Sequence, residues 1–128
     1  MTEGFARPVR VMLVEDHAAF RRAIAMLVDL EPDLEVVAQA GSLDGARRHA
    51  ASVGFDVAVM DLGLPDGDGV DLIRELRRVA SGAALLILSN SLDPTNLKRA
   101  TDAGADEVLP KIASPTEVVD AIRRLGSG

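Results

Sequence analysis

Five short apolar runs alternate with segments of helical repeat, and this alternation constrains the chain more than anything else in it. The runs are about residues 8–14, then Leu34-Glu35-Val36-Val37-Ala38, Val57-Ala58-Val59-Met60, Ala84-Leu85-Leu86-Ile87-Leu88 and Glu107-Val108-Leu109-Pro110. Strand-length runs separated by amphipathic helices are the signature of βαβ units wound around a parallel sheet. Helix one, about 18–30, places Phe20, Ile24, Leu27 and Val28 on one face, and Pro32 stops it. Ser42 caps a modest second helix through about Ala51. Helix three, about 70–80, carries Val70, Ile73 and Leu76 on one face, with Leu72 and Val79 widening it. Asp93-Pro94 opens helix four to about Ala103, and the capping box Ser114-Pro115-Thr116-Glu117 opens helix five. The closing Gly126-Ser127-Gly128 reads as a linker or an end.

The pattern is (βα) five times over: an α/β, doubly wound three-layer sandwich with a five-stranded parallel sheet. Strand order 2-1-3-4-5 is the commoner solution at this size, with its ligand site outside the carboxyl ends of strands one and three. The fourth run is almost wholly apolar and so is expected to be buried on both faces.

The residues that end the runs supply the chemistry. Glu15 and Asp16 follow the first, Asp61 the third, Ser89 the fourth and Lys111 the fifth. In a parallel sheet these ends share one edge, so carboxylates, a hydroxyl and an ammonium converge there. Such a cluster suits a divalent cation and a phosphoryl group.

Composition narrows the class. At 128 residues the chain is long enough for one substantial core, and it has no cysteine, which excludes disulfides and thiolate metal sites. No apolar run approaches the roughly 20 residues that cross a bilayer, and residues 1–8 lack the apolar stretch of a signal peptide, so the expected location is the cytoplasm. A net charge of −6 argues against direct nucleic-acid binding. Three Phe and neither Tyr nor Trp leave little for stacking bases.

The motifs at these strand ends resemble one family. Val14-Glu15-Asp16-His17, then Met60-Asp61-Leu62-Gly63-Leu64-Pro65-Asp66-Gly67-Asp68-Gly69, Leu88-Ser89, Gly104-Ala105-Asp106 and Lys111-Ile112-Ala113-Ser114-Pro115 are similar, in order and spacing, to the receiver domain of two-component response regulators. The style of the motifs is closest to receivers that precede LuxR-type DNA-binding domains. The resemblance covers essentially the whole chain. It implies a single receiver domain over 1–128, core about 8–125, with no output domain in this sequence.

The resemblance also implies roles. Asp61 is the phosphoryl acceptor, a carboxylate that forms an acyl phosphate when held in line beside a metal. Glu15 and Asp16, with Asp61 and the backbone carbonyl of Gly63, bind Mg²⁺ (or Mn²⁺). Lys111 pairs with one phosphoryl oxygen, and Ser89 hydrogen-bonds another. The implied function is a phosphorylation-dependent switch fed by a sensor histidine kinase or phosphotransfer protein. Beyond self-phosphotransfer and autodephosphorylation it is not an enzyme. A downstream output domain or protein and a homodimer are the further partners implied.

Other residues take plainer readings. His17 starts a helix, and Asp16 also suits a helix N-terminus. Asp66-Gly67-Asp68-Gly69 is turn chemistry, because a calcium loop would need an oxygen ligand where Val70 stands. The pairs Arg21-Arg22, Arg47-Arg48, Arg77-Arg78 and Arg123-Arg124 read as solvated helix faces.

Three departures from the family stand out. Val108 occupies the strand-five position where many receivers carry a rotating aromatic, so a switch here must work through the 89–93 and 106–112 segments. Asn90 follows Ser89 where a small residue is usual. Pro110 removes a backbone donor before Lys111 and predicts a stiff Lys111 loop. The alternative on the same fold is a pseudo-receiver acting as an unphosphorylated interaction module. A flavodoxin would need a Ser/Thr/Gly-rich loop where Glu15-Asp16-His17 stands, and a haloacid-type phosphatase a second Asp where Gly63 stands.

Overall fold

A computed structural model describes residues 7–90 and 93–127. The element order is β1 (Val9–Val14), α1 (Ala18–Asp29), β2 (Leu34–Ala40), α2 (Leu43–Ser52), β3 (Val57–Asp61), α3 (Gly69–Val79), β4 (Ala84–Ser89), α4 (Pro94–Ala103), β5 (Glu107–Pro110) and α5 (Pro115–Ser127). All strand pairs are parallel, as the alternation predicts, and the sheet order is β2-β1-β3-β4-β5, the commoner solution expected at this size.

Period-two alternation divides the sheet residues between two cores. Met12, Val14, Ala58, Met60, Leu85 and Ile87 face α2, α3 and α4. Val11, Leu13, Val57, Val59, Leu86 and Leu88 face α1 and α5. β3 is buried throughout, and β4 is buried from Leu85 onward, as its composition requires. Both faces are covered, so the carboxyl ends of the central strands form the rim where a site can open.

Helix boundaries follow the predicted signals. Ser42 Oγ accepts the Gly45 N–H at 3.0 Å, and Asp93 Oδ1 accepts that of Asn96 at 3.0 Å. Ser114 and Glu117 exchange reciprocal bonds, each 3.2 Å, as a capping box does. At α1 the N-cap is His17, with no side-chain cap, so Asp16 does not cap this helix. Among the described residues no helix is long and apolar enough to cross a membrane.

Three expectations are corrected. β2 runs two residues beyond Ala38, to Ala40. A register shift after Val11 lets β2 carry one extra residue against β1, and the Glu15 N–H reaches the Ala40 carbonyl at 2.9 Å. Gly126 and Ser127 are not a linker but the last turn of α5. A Cβ on Gly126 would lie 2.5 Å from Val9 Cγ1, so glycine lets α5 close onto the start of the sheet. Gly128 lies outside the described residues, as do Ser91 and Leu92 of the segment expected to switch.

The third correction concerns the arginine pairs, several of which are clamps. Arg77 donates to the Ala83 carbonyl at 2.7 Å, the Gly104 carbonyl at 2.6 Å and Asp106 Oδ2 at 2.7 Å. Arg123 grips Asp33 and Glu31, Arg47 forks onto Glu75, and Arg124 onto Glu107. Arg21 donates to the Glu15 carbonyl at 2.7 Å. Their partners lie on other elements, which a solvated-face reading cannot see.

Candidate functional site

β1, β3 and β5 end side by side or one strand apart, and this brings Glu15, Asp61 and Lys111 together. Glu15 and Asp61 are buried, while Asp16 is exposed at the rim. Carboxylate oxygens of Glu15, Asp16 and Asp61 all lie within 4.8 Å of one another. Lys111 Nζ sits between two of them, 2.8 Å from Glu15 Oε1 and 3.0 Å from Asp61 Oδ2. Its side chain is only 12% exposed, and it lies 5.3 Å from the centre of the Phe20 ring, which adds a cation–π contact.

Positioning of these groups is local. Asp61 Oδ1 accepts the Gly63 N–H at 3.1 Å, which leaves Oδ2 to Lys111. Glu15 Oε2 accepts the His17 N–H at 2.9 Å. Its other oxygen, Oε1, is buried and ion-pairs with the Lys111 ammonium at 2.8 Å. Pro110 cannot donate to β4, and the next donor, the Lys111 N–H, bonds the Ser89 carbonyl at 2.8 Å. The backbones of the two expected phosphate-reading residues are thereby tied.

The cluster is short of positive charge. Burial pushes the Glu15 carboxyl above its ordinary range, and the neighbouring Asp16 and Asp61 add to this. Lys111 and the His17 N–H pull the other way and do not compensate. Burial also opposes the Lys111 ammonium, but Glu15 and Asp61 outweigh it and hold its pKa above the usual lysine value. Three carboxylates, two buried and Asp16 at the rim, form a set of hard oxygen ligands that fits a divalent cation such as Mg²⁺.

A cleft of about 260 Å³ leads in from the α4 side, lined by Asp61, Gly63, Asp68, Ser89, Asn90 and Arg99 among others. Ser89 is buried at the end of β4, facing this cleft beside Asp61. Asn90 is exposed at its rim. Asp61 thus links the two parts of the predicted site, grouped with Glu15, Asp16 and Lys111 on one side and lining the cleft with Ser89 on the other.

Two residues read as turn chemistry do more than turn the chain. Asp66 accepts the Leu43 N–H at 2.8 Å and the Asp44 N–H at 3.1 Å, capping α2 from another element. Those two amides hold its carboxyl below the ordinary range. Asp68 caps α3 through the Val70 N–H at 2.9 Å and also binds Arg99 at 2.6 Å. Gly69 is needed at the close of this loop, because a Cβ there would lie 2.8 Å from the Leu62 Cα. The Asp-x-Asp spacing was the only local signal, and the partners lie 23 and 31 residues away.

The response regulator receiver domain family model matches residues 11–123. The chain belongs to this family. The receiver is 37% identical over 123 residues to the nitrate/nitrite response regulator protein NarP of Escherichia coli (strain K12), spanning 96% of this chain and 57% of that protein. It is 35% identical over 120 residues to the DNA-binding transcriptional activator DevR/DosR of Mycobacterium tuberculosis, spanning 94% of this chain and 55% of that protein. Among solved structures, a LuxR-family two-component response regulator from Aurantimonas sp. SI85-9A1 superposes with a TM-score of 0.87 at 32% identity, over 94% of this chain and 86% of that one. The receiver spans little more than half the length of the curated relatives it matches. It is a receiver of two-component response regulators, of the kind found in LuxR/NarL-type regulators.

Proposed function

We propose that Asp61 accepts a phosphoryl group from the phospho-His of a sensor histidine kinase or phosphotransfer protein. An Asp61 oxygen would bond to phosphorus as the phosphorus–nitrogen bond breaks and the imidazole leaves. The observation that carries this is a buried carboxylate at the end of a central strand, 3.0 Å from an ammonium and grouped with two further carboxylates. Glu15, Asp16 and Asp61, with the Gly63 backbone carbonyl, would hold Mg²⁺ (or Mn²⁺). The bound ion supplies positive charge where phosphoryl oxygens gather. Lys111, already beside Asp61, would pair with one phosphoryl oxygen, and Ser89 would donate its hydroxyl to another.

The acyl phosphate draws Ser89 and Lys111 inward and shifts the surface of α4, β5 and α5, and hydrolysis resets it. Carrying a mostly inactive ensemble to a mostly active one takes a few kcal/mol, which two or three charge-assisted contacts supply. Val108 packs at the edge of the α2–α4 core, so the shift runs through aliphatic repacking and backbone movement. The acidic surface leaves DNA contact to an output domain in a longer protein, in the cytoplasm, with a homodimer as one route of output. The pseudo-receiver alternative finds no support among the relatives.

Incubation with Mg²⁺ and acetyl phosphate tests this. The protein gains one phosphoryl mass, and Asp61→Asn or removal of Mg²⁺ abolishes the gain. An unmodified wild type overturns the reading.

A further inference from the structure

We propose that the Arg99–Asp68 ion pair is a releasable tie that holds α4 to the loop after β3 in the unphosphorylated receiver. It makes Arg99 a positioning residue for phosphorylation of Asp61, and it rests on the reading of Asp61 given above. Residues 62–68 link Asp61 to α3 and are gripped on both sides. Toward α2, Asp66 binds two backbone amides of the first turn, which cannot swing away while that helix stands. Toward α4, the hydrogen-bonded grip among the described residues is one side chain, Arg99 Nη2 on Asp68 Oδ2 at 2.6 Å. The grip on α2 is therefore fixed, while the grip on α4 can let go and leave Asp68 still capping α3.

The tie matters because α4 is lightly anchored. Its buried residues are Ala100 and Ala103, small side chains that fix a helix weakly, whereas α3 buries Val70, Leu72, Ile73 and Leu76. Asp68 and Arg99 stand at the cleft that leads to Asp61 and Ser89. Their side chains are 44% and 49% exposed, so the pair is weak enough to release. The sign follows from where the tie exists. It stabilises the unphosphorylated arrangement, so its loss enlarges the share of molecules in which α4 and the Ser89 segment are free to move.

The test uses Arg99→Gln, Asp68→Asn, their combination and Arg99→Lys in the full chain. Asn caps a helix as well as Asp does, so Asp68→Asn removes the charge and leaves the α3 cap. Hydrogen exchange of the α4 amides is read on unphosphorylated protein, and labelling of Asp61 by phosphoramidate with Mg²⁺ is read as an initial rate. Arg99→Gln and Asp68→Asn should each raise α4 exchange and labelling rate about two- to fivefold, the range open to an exposed pair. The combination should do no more than either alone, because the two share one contact. Arg99→Lys should stay near wild type, and α2 exchange should not move. Unchanged α4 exchange, an unchanged or slower labelling rate, or additive effects overturn the proposal. A wild type that takes no label overturns the Asp61 reading and the positioning role with it, while exchange still decides whether the tie exists.

Discussion

At the amino ends of the strands, carboxylates meet their own arginines. Asp56 faces Arg10 and Arg7, Asp106 faces Arg77, and Asp33 and Glu31 share Arg123. At the carboxyl ends, Glu15, Asp16 and Asp61 crowd together, and one ammonium, Lys111, serves both Glu15 and Asp61. The first arrangement closes loops and holds the sheet ends. The second withholds compensation at a buried point, where a cation or a transferred group can supply it. The shifts differ accordingly: Asp56 and Asp33 are held below the usual carboxylate range, whereas Glu15 is pushed above it. Structural ion pairs and the candidate site thus occupy opposite ends of one sheet.

The comparison breaks most visibly at Asp56. Its Oδ2 accepts the Arg10 backbone N–H at 2.9 Å, and Asp56→Ala strands that amide. Urea denaturation should show a loss of about 2 kcal/mol, the cost of a half-buried unsatisfied donor. Phosphoryl transfer to Asp61 should persist, and a matching loss of transfer would mean the two ends are not separable.

Metal addition probes the other end. Mg²⁺ at ten times its Kd should stabilise the wild type by about 1.4 kcal/mol. Asp61→Asn should shrink that gain, read as the rise in melting temperature on adding Mg²⁺. An equal rise in both proteins would place the cation elsewhere.

The smallest effect is one of sign. Because folding raises the Glu15 pKa, its ionised form costs stability at neutral pH, and the cost disappears as pH falls from the folded pKa toward 4.5. Asp56 acts oppositely: its stabilisation is full above 3.8 and is lost as pH falls through its lowered folded value. In metal-free protein, Glu15→Gln should therefore remove a gain in urea midpoint between pH 7 and about 4.5. Asp56→Asn should soften the decline below that. Glu15→Gln with an unchanged profile would contradict the charge shortage at the site.

Much of this was legible in the chain because it is written locally. Apolar runs and caps give the elements, and the residues closing each run give the cluster, since a parallel sheet puts those ends on one rim. What was not legible depends on partners far along the chain. Gln39 interrupts the apolar run of an edge strand, which hid the last residues of β2 and the shift in its register. Gly126 looked like a linker because the approach of Val9 that makes it necessary is a tertiary fact. Arg77 and Arg123 looked solvated, and Asp66 and Asp68 looked like a turn, because each meets its partner across elements. Asp16 offered two readings, and the structure leaves it at the rim of the acidic cluster without capping α1.

The most direct measurement locates the modified carboxyl. After treatment with acetyl phosphate and Mg²⁺, borohydride reduction turns an aspartyl phosphate into homoserine, which peptide mass mapping assigns to a position. Homoserine should appear at position 61 alone. Its appearance at Asp16, Asp66 or Asp68, or its absence throughout, would contradict the view that the uncompensated cluster at the carboxyl ends exists to phosphorylate Asp61.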